Sequence, residues 1–187
     1  QAFQALKTNQ IQALNLWESA HAALEVSGTP IRRLDIPKEF QGMSSHGFEV
    51  TEKLLKENPQ LIARFGRAVS KGAVACEANM TGCLQAFWKH YPEQKPKVGT
   101  EAEILRKELA IMKPRIDNVT YFRPGEPRQW GAYADRDWKL LIAALKEGGE
   151  VTNENIPMAS LYTNELVTEY NKFDPQAVIR QARAWKP

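Results

Sequence analysis

The chain is predicted to be α/β: a short helix, two or three extended segments, then helices to the end. Three observations lead to this class. Apolar and polar residues alternate over residues 11–17, with Leu14 and Leu16 pointing one way and Ala13, Asn15 and Trp17 the other, which is the period of a strand. Two further extended runs, 31–36 and 43–50, follow, the second with Gly42 and Gly47 beside or inside it. After Thr51 the periodicity becomes helical and stays so.

Taken in order, residues 1–7 have helical character through Phe3 and Leu6, and Thr8-Asn9-Gln10 makes a turn. A helix opens at Glu18, carries Ala20, Ala23 and Leu24 on one stripe, and ends at Gly28 and Pro30. Asn58-Pro59 pairs a capping residue with a proline at the first helical position, and Leu61, Ile62, Phe65, Val69 and Ala73 recur behind it. Asn79 breaks that helix and caps the next, which carries Leu84, Phe87 and Trp88; residues 91–99, with Pro92 and Pro96, form a linker. Thr100 with Glu103 reads as a capping box before Ile104, Leu105, Leu109 and Met112. Pro114 is expected to stop this helix, leaving 114–131 as a long irregular connection, a kind of segment that often carries function. Asp135 is expected to cap a helix with Trp138, Leu141, Ile142 and Leu145 on one face, closed by Gly148-Gly149. Two short helices follow, one capped by Thr163 and carrying Leu166, Val167 and Tyr170, the other started by Asp174-Pro175 and carrying Val178, Ile179 and Ala182.

The totals narrow the function classes. With 187 residues, 43% hydrophobic and 25% charged, the chain has the composition of a folded globular protein. Its formal net charge is only +3, and its densest basic spots are Arg32-Arg33 and Arg180, Arg183, Lys186, so a nucleic-acid surface is not indicated. No apolar stretch approaches the roughly 20 residues of a membrane helix. There is neither an initiator Met nor a signal-peptide pattern, and the chain begins at Gln1 inside apparent structure, which leads us to expect a processed or truncated product. Strands that stop while helices continue lead to the same expectation. Cys76 and Cys83 would lie about 10 Å apart along an unbroken helix, too far for a disulfide. A break between them could bring them together; two small buried thiols are the plainer reading. No metal-ligand spacing, phosphate loop or nucleophile elbow is present, which favours binding over catalysis.

Several segments carry a likeness. "ALKTNQIQALNLWESAHAALEVSG" resembles the end of the second lobe in ABC-transporter solute-binding proteins of the nitrate/sulfonate/taurine type. "TEKLLKENPQLIARFGRAVSKGAVACEAN" resembles their next stretch, and "WGAYADRDWKLLIAALKEGGEV" and "YTNELVTEYNKFDPQAV" resemble their closing helices. Asn9, Gln12 and Met80 depart from the family pattern. The resemblance implies a type II periplasmic-binding-protein fold, represented by a helix-rich C-terminal portion without the upstream lobe segments. Residues 1–42 would end the second lobe, 43–50 would cross the hinge, and 51–187 would be the helical part of the first lobe. It implies a periplasmic, or extracellular and membrane-anchored, receptor without cofactor or metal. Such a receptor captures a small organic solute (sulfonate, aromatic or heterocyclic) between its lobes and delivers it to ABC permease subunits. This chain alone would then bind solute poorly, and an exposed sheet edge would favour association. Two other functions belong to the same fold. A pyrimidine-forming enzyme of the thiamine pathway would need a cysteine-rich motif and iron-binding residues, and a ligand-sensing domain would accompany a DNA-binding module elsewhere.

The candidate ligand-binding residues fall in three places. Trp17 and Glu18 stand where a strand is expected to give way to a helix, with Asn15 on the face of Trp17. Helix N-termini there offer free N–H groups to an anion, and an indole offers an apolar face. An anionic ligand would require Glu18 to point away. His21, one turn on, has no partner spaced for catalysis and reads as a bystander. Ser44, Ser45 and His46, next to Gly47, supply hydroxyls, an imidazole and torsional freedom on the hinge segment. Trp130 and Tyr133 end the Pro/Gly-rich connection, either reaching a ligand or anchoring the loop. Asn79-Met80-Thr81 and Asn118-Val119-Thr120 match the glycosylation pattern and are read as accidental.

Overall fold

The computed structural model describes residues 2–41, 43, 47–153 and 155–186. Among these residues every regular element is a helix: α1 (Ala2–Lys7), α2 (Glu18–Val26), α3 (Glu52–Glu57), α4 (Pro59–Ala78), α5 (Met80–His90), α6 (Glu101–Val119), α7 (Asp135–Glu147), α8 (Val167–Tyr170) and α9 (Pro175–Ala184), with short 3₁₀ turns at Lys38–Phe40, Pro92–Gln94 and Met158–Ser160. The expected α/β class, and with it the type II periplasmic-binding fold, is therefore corrected to all-α. The cause lies in pairing. A strand is stabilised by a lateral neighbour that takes up its N–H and C=O groups. Residues 11–17 keep the expected alternation, Leu14 and Leu16 half-buried and Ala13, Asn15 and Trp17 exposed, but no described residue pairs with them. Residues 31–36 and the described part of 43–50 are likewise irregular, and Leu34, Ile36, Phe48 and Val50 are exposed.

The chain forms two compact units, one of residues 1–34, 73–121 and 175–187, the other of residues 35–72 and 122–174. In the first unit α2 packs on α6, and α5 packs on α6. Leu84, Trp88 and Ile104 are buried together, with Leu105, Leu109 and Met112 against them. Full burial of side chains of this size contributes about 1.5–3 kcal/mol each. On α2, Ala20, Ala22 and Leu24 are buried. The Thr100–Glu103 capping box is present in both directions. Glu103 accepts from the backbone N–H and the hydroxyl of Thr100, which holds its carboxyl below the ordinary glutamate range. Helix α6 does not stop at Pro114 but runs through it to Val119. An interior proline removes one backbone bond and costs about 3 kcal/mol or more. What holds the helix beyond it is tertiary: α2 lies on α6, and Asn118 Nδ2 donates to Glu18 Oε1 at 2.9 Å.

Helices α4 and α5 are separated by Asn79 alone, at φ −151° and ψ 78°. The break brings the Cα atoms of Cys76 and Cys83 to 5.2 Å, and the two residues form a disulfide. The simpler reading of two free thiols is thereby replaced by the one that the Asn79 break left open.

The second unit is organised around Tyr170. Its ring lies so close to Gly66 on α4 that a Cβ there would meet Tyr170 Cδ1 at 2.3 Å; one at Gly131 would meet Cδ2 at 2.7 Å. Gly131 also sits at φ +77°, where only glycine is unstrained. Burial pushes the Tyr170 phenol above its ordinary pKa. Arg67 Nη1 donates to the Glu169 carbonyl at 3.2 Å, and Asn171 brackets Trp130, its Oδ1 accepting from the Trp130 N–H at 2.9 Å and its Nδ2 donating to the Trp130 carbonyl at 3.0 Å. On α4, Ile62, Ala63 and Ser70 are buried, while Leu61, Phe65 and Val69, four residues apart, remain exposed. Phe48 meets Phe65 edge-on, with centroids 4.9 Å apart. Helix α7 begins at Asp135, with Ala134 rather than Asp135 in the capping position. It ends before Gly149, which is at φ +76°.

Candidate functional site

Trp17 occupies the N-cap position of α2 with φ −74° and ψ 159°, and its side chain makes no cap hydrogen bond. An indole cannot accept from the first-turn N–H groups as Ser, Asp or Asn would. The carbonyl of Trp17 accepts from Ala20 and His21, but the opening turn has no side-chain acceptor from the cap. The indole is 58% exposed and Asn15 beside it is also exposed. Glu18 opens the helix, yet its Oε1 is bound by the Asn118 amide; Oε2 is buried with no hydrogen-bond partner. The carboxylate is thus drawn toward α6. This local arrangement offers an apolar face next to backbone donors, which suits a ligand with an anionic or strongly accepting end and a flat or alkyl body. His21, one turn on, is half-buried on α2.

The other candidates fare differently. Ser44, Ser45 and His46 lie outside the described residues. Trp130 belongs to the second unit, half-buried, with Phe122 edge-on at 5.0 Å and the Arg128 guanidinium 5.2 Å from its ring centroid. With both backbone groups bound by Asn171, Trp130 has the bonding of a loop anchor. Tyr133, Trp138 and Tyr162 form an aromatic trio with centroids 5.6–6.0 Å apart. Burial raises the Tyr133 pKa. Tyr162 Oη donates to Asp135 Oδ1 at 2.6 Å, which raises its own. Of the two glycosylation-like asparagines, Asn79 has its side chain engaged at both amide atoms, accepting from Gly82 N–H and donating to the Ala182 carbonyl.

Sequence reasoning missed a charged quartet. Asp137 is 6% exposed and accepts from Arg123; Arg136 donates to Glu126 and approaches Asp137, and Arg123 approaches Glu126. Arg123 lies within the irregular connection between α6 and α7 and Asp137 in the first turn of α7, and neither period nor motif announces the pairing. A hollow of about 370 Å³ is lined by Glu39, Gln41, Met43, Arg123, Arg136, Asp137 and Leu140. Its two guanidinium groups are already matched by the two carboxylates of the quartet. In the first unit a hollow of about 360 Å³ lies between the start of α5 and α6, lined by Asn79, Met80, Thr81, Leu109, Ala110 and Lys113. Neither hollow is lined by Asn15, Trp17 or Glu18. No group of three or more His, Cys, Asp or Glu among the described residues is arranged to hold a metal ion, and no helix there is long and apolar enough to cross a membrane. Comparison with known proteins found no matching family model, no matching curated protein and no matching solved structure.

Proposed function

We propose that the chain is a solute-capturing part of an extracytoplasmic ABC-import receptor, binding a small organic solute without transforming it. The observation that carries this reading is Trp17: an exposed indole at an N-terminus with no side-chain cap, with the Glu18 carboxylate drawn aside by Asn118. An arylsulfonate, an aromatic carboxylate or a heterocycle with an accepting edge would stack on the indole and take hydrogen bonds from the first turn of α2. The Cys76–Cys83 disulfide is in keeping with an oxidising compartment. The segment likenesses described above supply the transport role, with permease subunits as the receiving partner. With the two-lobe fold corrected, the expectations of weak binding by the chain alone and of an exposed sheet edge lapse, and capture is assigned to the Trp17 locus alone. Isothermal titration calorimetry with an alkylsulfonate, an arylsulfonate, an aromatic carboxylate and a pyrimidine tests it. At least one is expected to bind, and Trp17→Ala is expected to weaken that binding at least tenfold. Silence across the panel, or unchanged affinity in the variant, would overturn the reading.

A further inference from the structure

We infer that the Cys76–Cys83 disulfide governs docking of the C-terminal helix α9, acting through Asn79. The bond closes a ring of chain around the only residue that separates α4 from α5. Inside that ring Asn79 serves two helices at once. Its Oδ1 accepts from the Gly82 N–H at 2.9 Å, satisfying a free donor at the start of α5. Its Nδ2 donates to the carbonyl of Ala182 at 2.8 Å, satisfying a free acceptor at the end of α9. Gly82 makes this geometry accessible, because a Cβ there would lie 2.5 Å from Asn79 Nδ2.

The arrangement has a definite competitor. If α4 and α5 ran on as one helix, residues seven apart would stand about 10 Å apart along the axis, against the observed Cα separation of 5.2 Å. In that helix the first N–H groups of α5 would find carbonyls one turn back, and Asn79 would turn with the helix and lose both bonds. The disulfide is compatible only with the broken form. Among the described residues of α9 only Val178 is buried, and the Asn79 bond to Ala182 adds a polar tie at the C-terminal end of the helix. Reduction by a dithiol breaks the Sγ–Sγ bond, passes two electrons and two protons to the cysteines to give two thiols, and closes the dithiol to its own disulfide.

Hydrogen exchange of residues 175–184 tests this in the full chain. Dithiothreitol treatment and the double variant Cys76→Ser/Cys83→Ser are each expected to raise exchange in α9 about tenfold, the scale of one lost hydrogen bond, while α2 and α6 keep their protection. In the oxidised chain, Asn79→Asp retains an acceptor for Gly82 but loses the donor to Ala182. It should raise exchange in α9 and leave the first turn of α5 protected. Three results would overturn the inference: α9 protection unchanged by reduction, protection lost equally from α2 and α6, or Asn79→Asp exchanging like the unaltered chain.

Discussion

Replacing Gly66 by alanine should destabilise the protein, although alanine is the better helix former. Gly66 lies within α4, where glycine is less favourable than alanine by about 0.8–1.0 kcal/mol. Propensity alone therefore predicts a gain. Against it stands Tyr170, whose Cδ1, Cε1 and Cγ would lie 2.3, 2.4 and 2.9 Å from the new methyl. The ring cannot simply withdraw, since Gly131 approaches it closely as well, Arg67 holds the Glu169 carbonyl, and Asn171 is tied to Trp130. Overpacking costs about 1–3 kcal/mol, and with three ring atoms inside 3.0 Å the upper half of that range applies, so the net loss is about 1–2 kcal/mol. Gly72 supplies the internal comparison. It lies on the same helix with nothing within 4 Å of its hypothetical Cβ, so Gly72→Ala should stabilise by up to about 1 kcal/mol. Urea unfolding followed by far-ultraviolet circular dichroism separates the two, with a difference of about 2–3 kcal/mol between variants. A Gly66→Ala midpoint at or above that of the unaltered chain would refute the argument, because the Tyr170 contact would then not constrain α4.

Removing the buried carboxylate with Asp137→Ala leaves Arg123, whose side chain is 23% exposed, without its closest acid; a loss of about 3 kcal/mol in urea unfolding is expected, and a loss below about 1 kcal/mol would mean that the quartet does not hold the loop. Trp17→Ala should leave stability within about 0.5 kcal/mol while weakening the proposed solute binding, because the indole is largely in water; a marked stability loss would reassign Trp17 to packing. Glu103 has a carboxyl pKa lowered by the Thr100 N–H and hydroxyl. The capping box is therefore fully formed above the ordinary glutamate pKa of about 4.3 and is lost as pH falls through the lower folded value. Carbon-13 titration of the side chain should show this, and Thr100→Ala should move Glu103 back toward the ordinary range; identical curves for the two chains would dissociate the shift from the hydroxyl.

Local signals carried most of the helical reading. Asn58-Pro59 does begin α4, the Asn58 Oδ1 accepting from Leu61 N–H at 3.2 Å. Asn79 does end one helix and cap the next, and Thr100 with Glu103 does form the capping box. Each is decided within three or four residues, by whether a side-chain acceptor reaches a free N–H. The candidate site was legible to the same depth. Trp17 stands at the start of α2 as expected, and the exposure of Asn15 and Trp17 against Leu14 and Leu16 follows from alternation. The turn of Glu18 toward Asn118 lies 100 residues away in sequence, and no pattern in residues 11–28 discloses it.

The amino-acid sequence by itself determined where α4, α5 and α6 begin, because Asn58-Pro59, Asn79 and the Thr100–Glu103 pair act on their immediate neighbours. It did not determine that residues 11–17 and 31–36 would remain unpaired, because alternation specifies two faces of a segment but not the existence of a lateral partner. Nor did it choose the covered face of α4. Periodicity grouped Leu61, Ile62, Phe65, Val69 and Ala73, and of these packing buried Ile62 and Ala73, together with Ala63 and Ser70, while Leu61, Phe65 and Val69 stayed exposed. The passage of α6 through Pro114 and the Asp137 quartet were likewise tertiary decisions. In each, a local cost or an open alternative was resolved by groups brought together in space, where burial and hydrogen bonding outweigh the preference of a single residue.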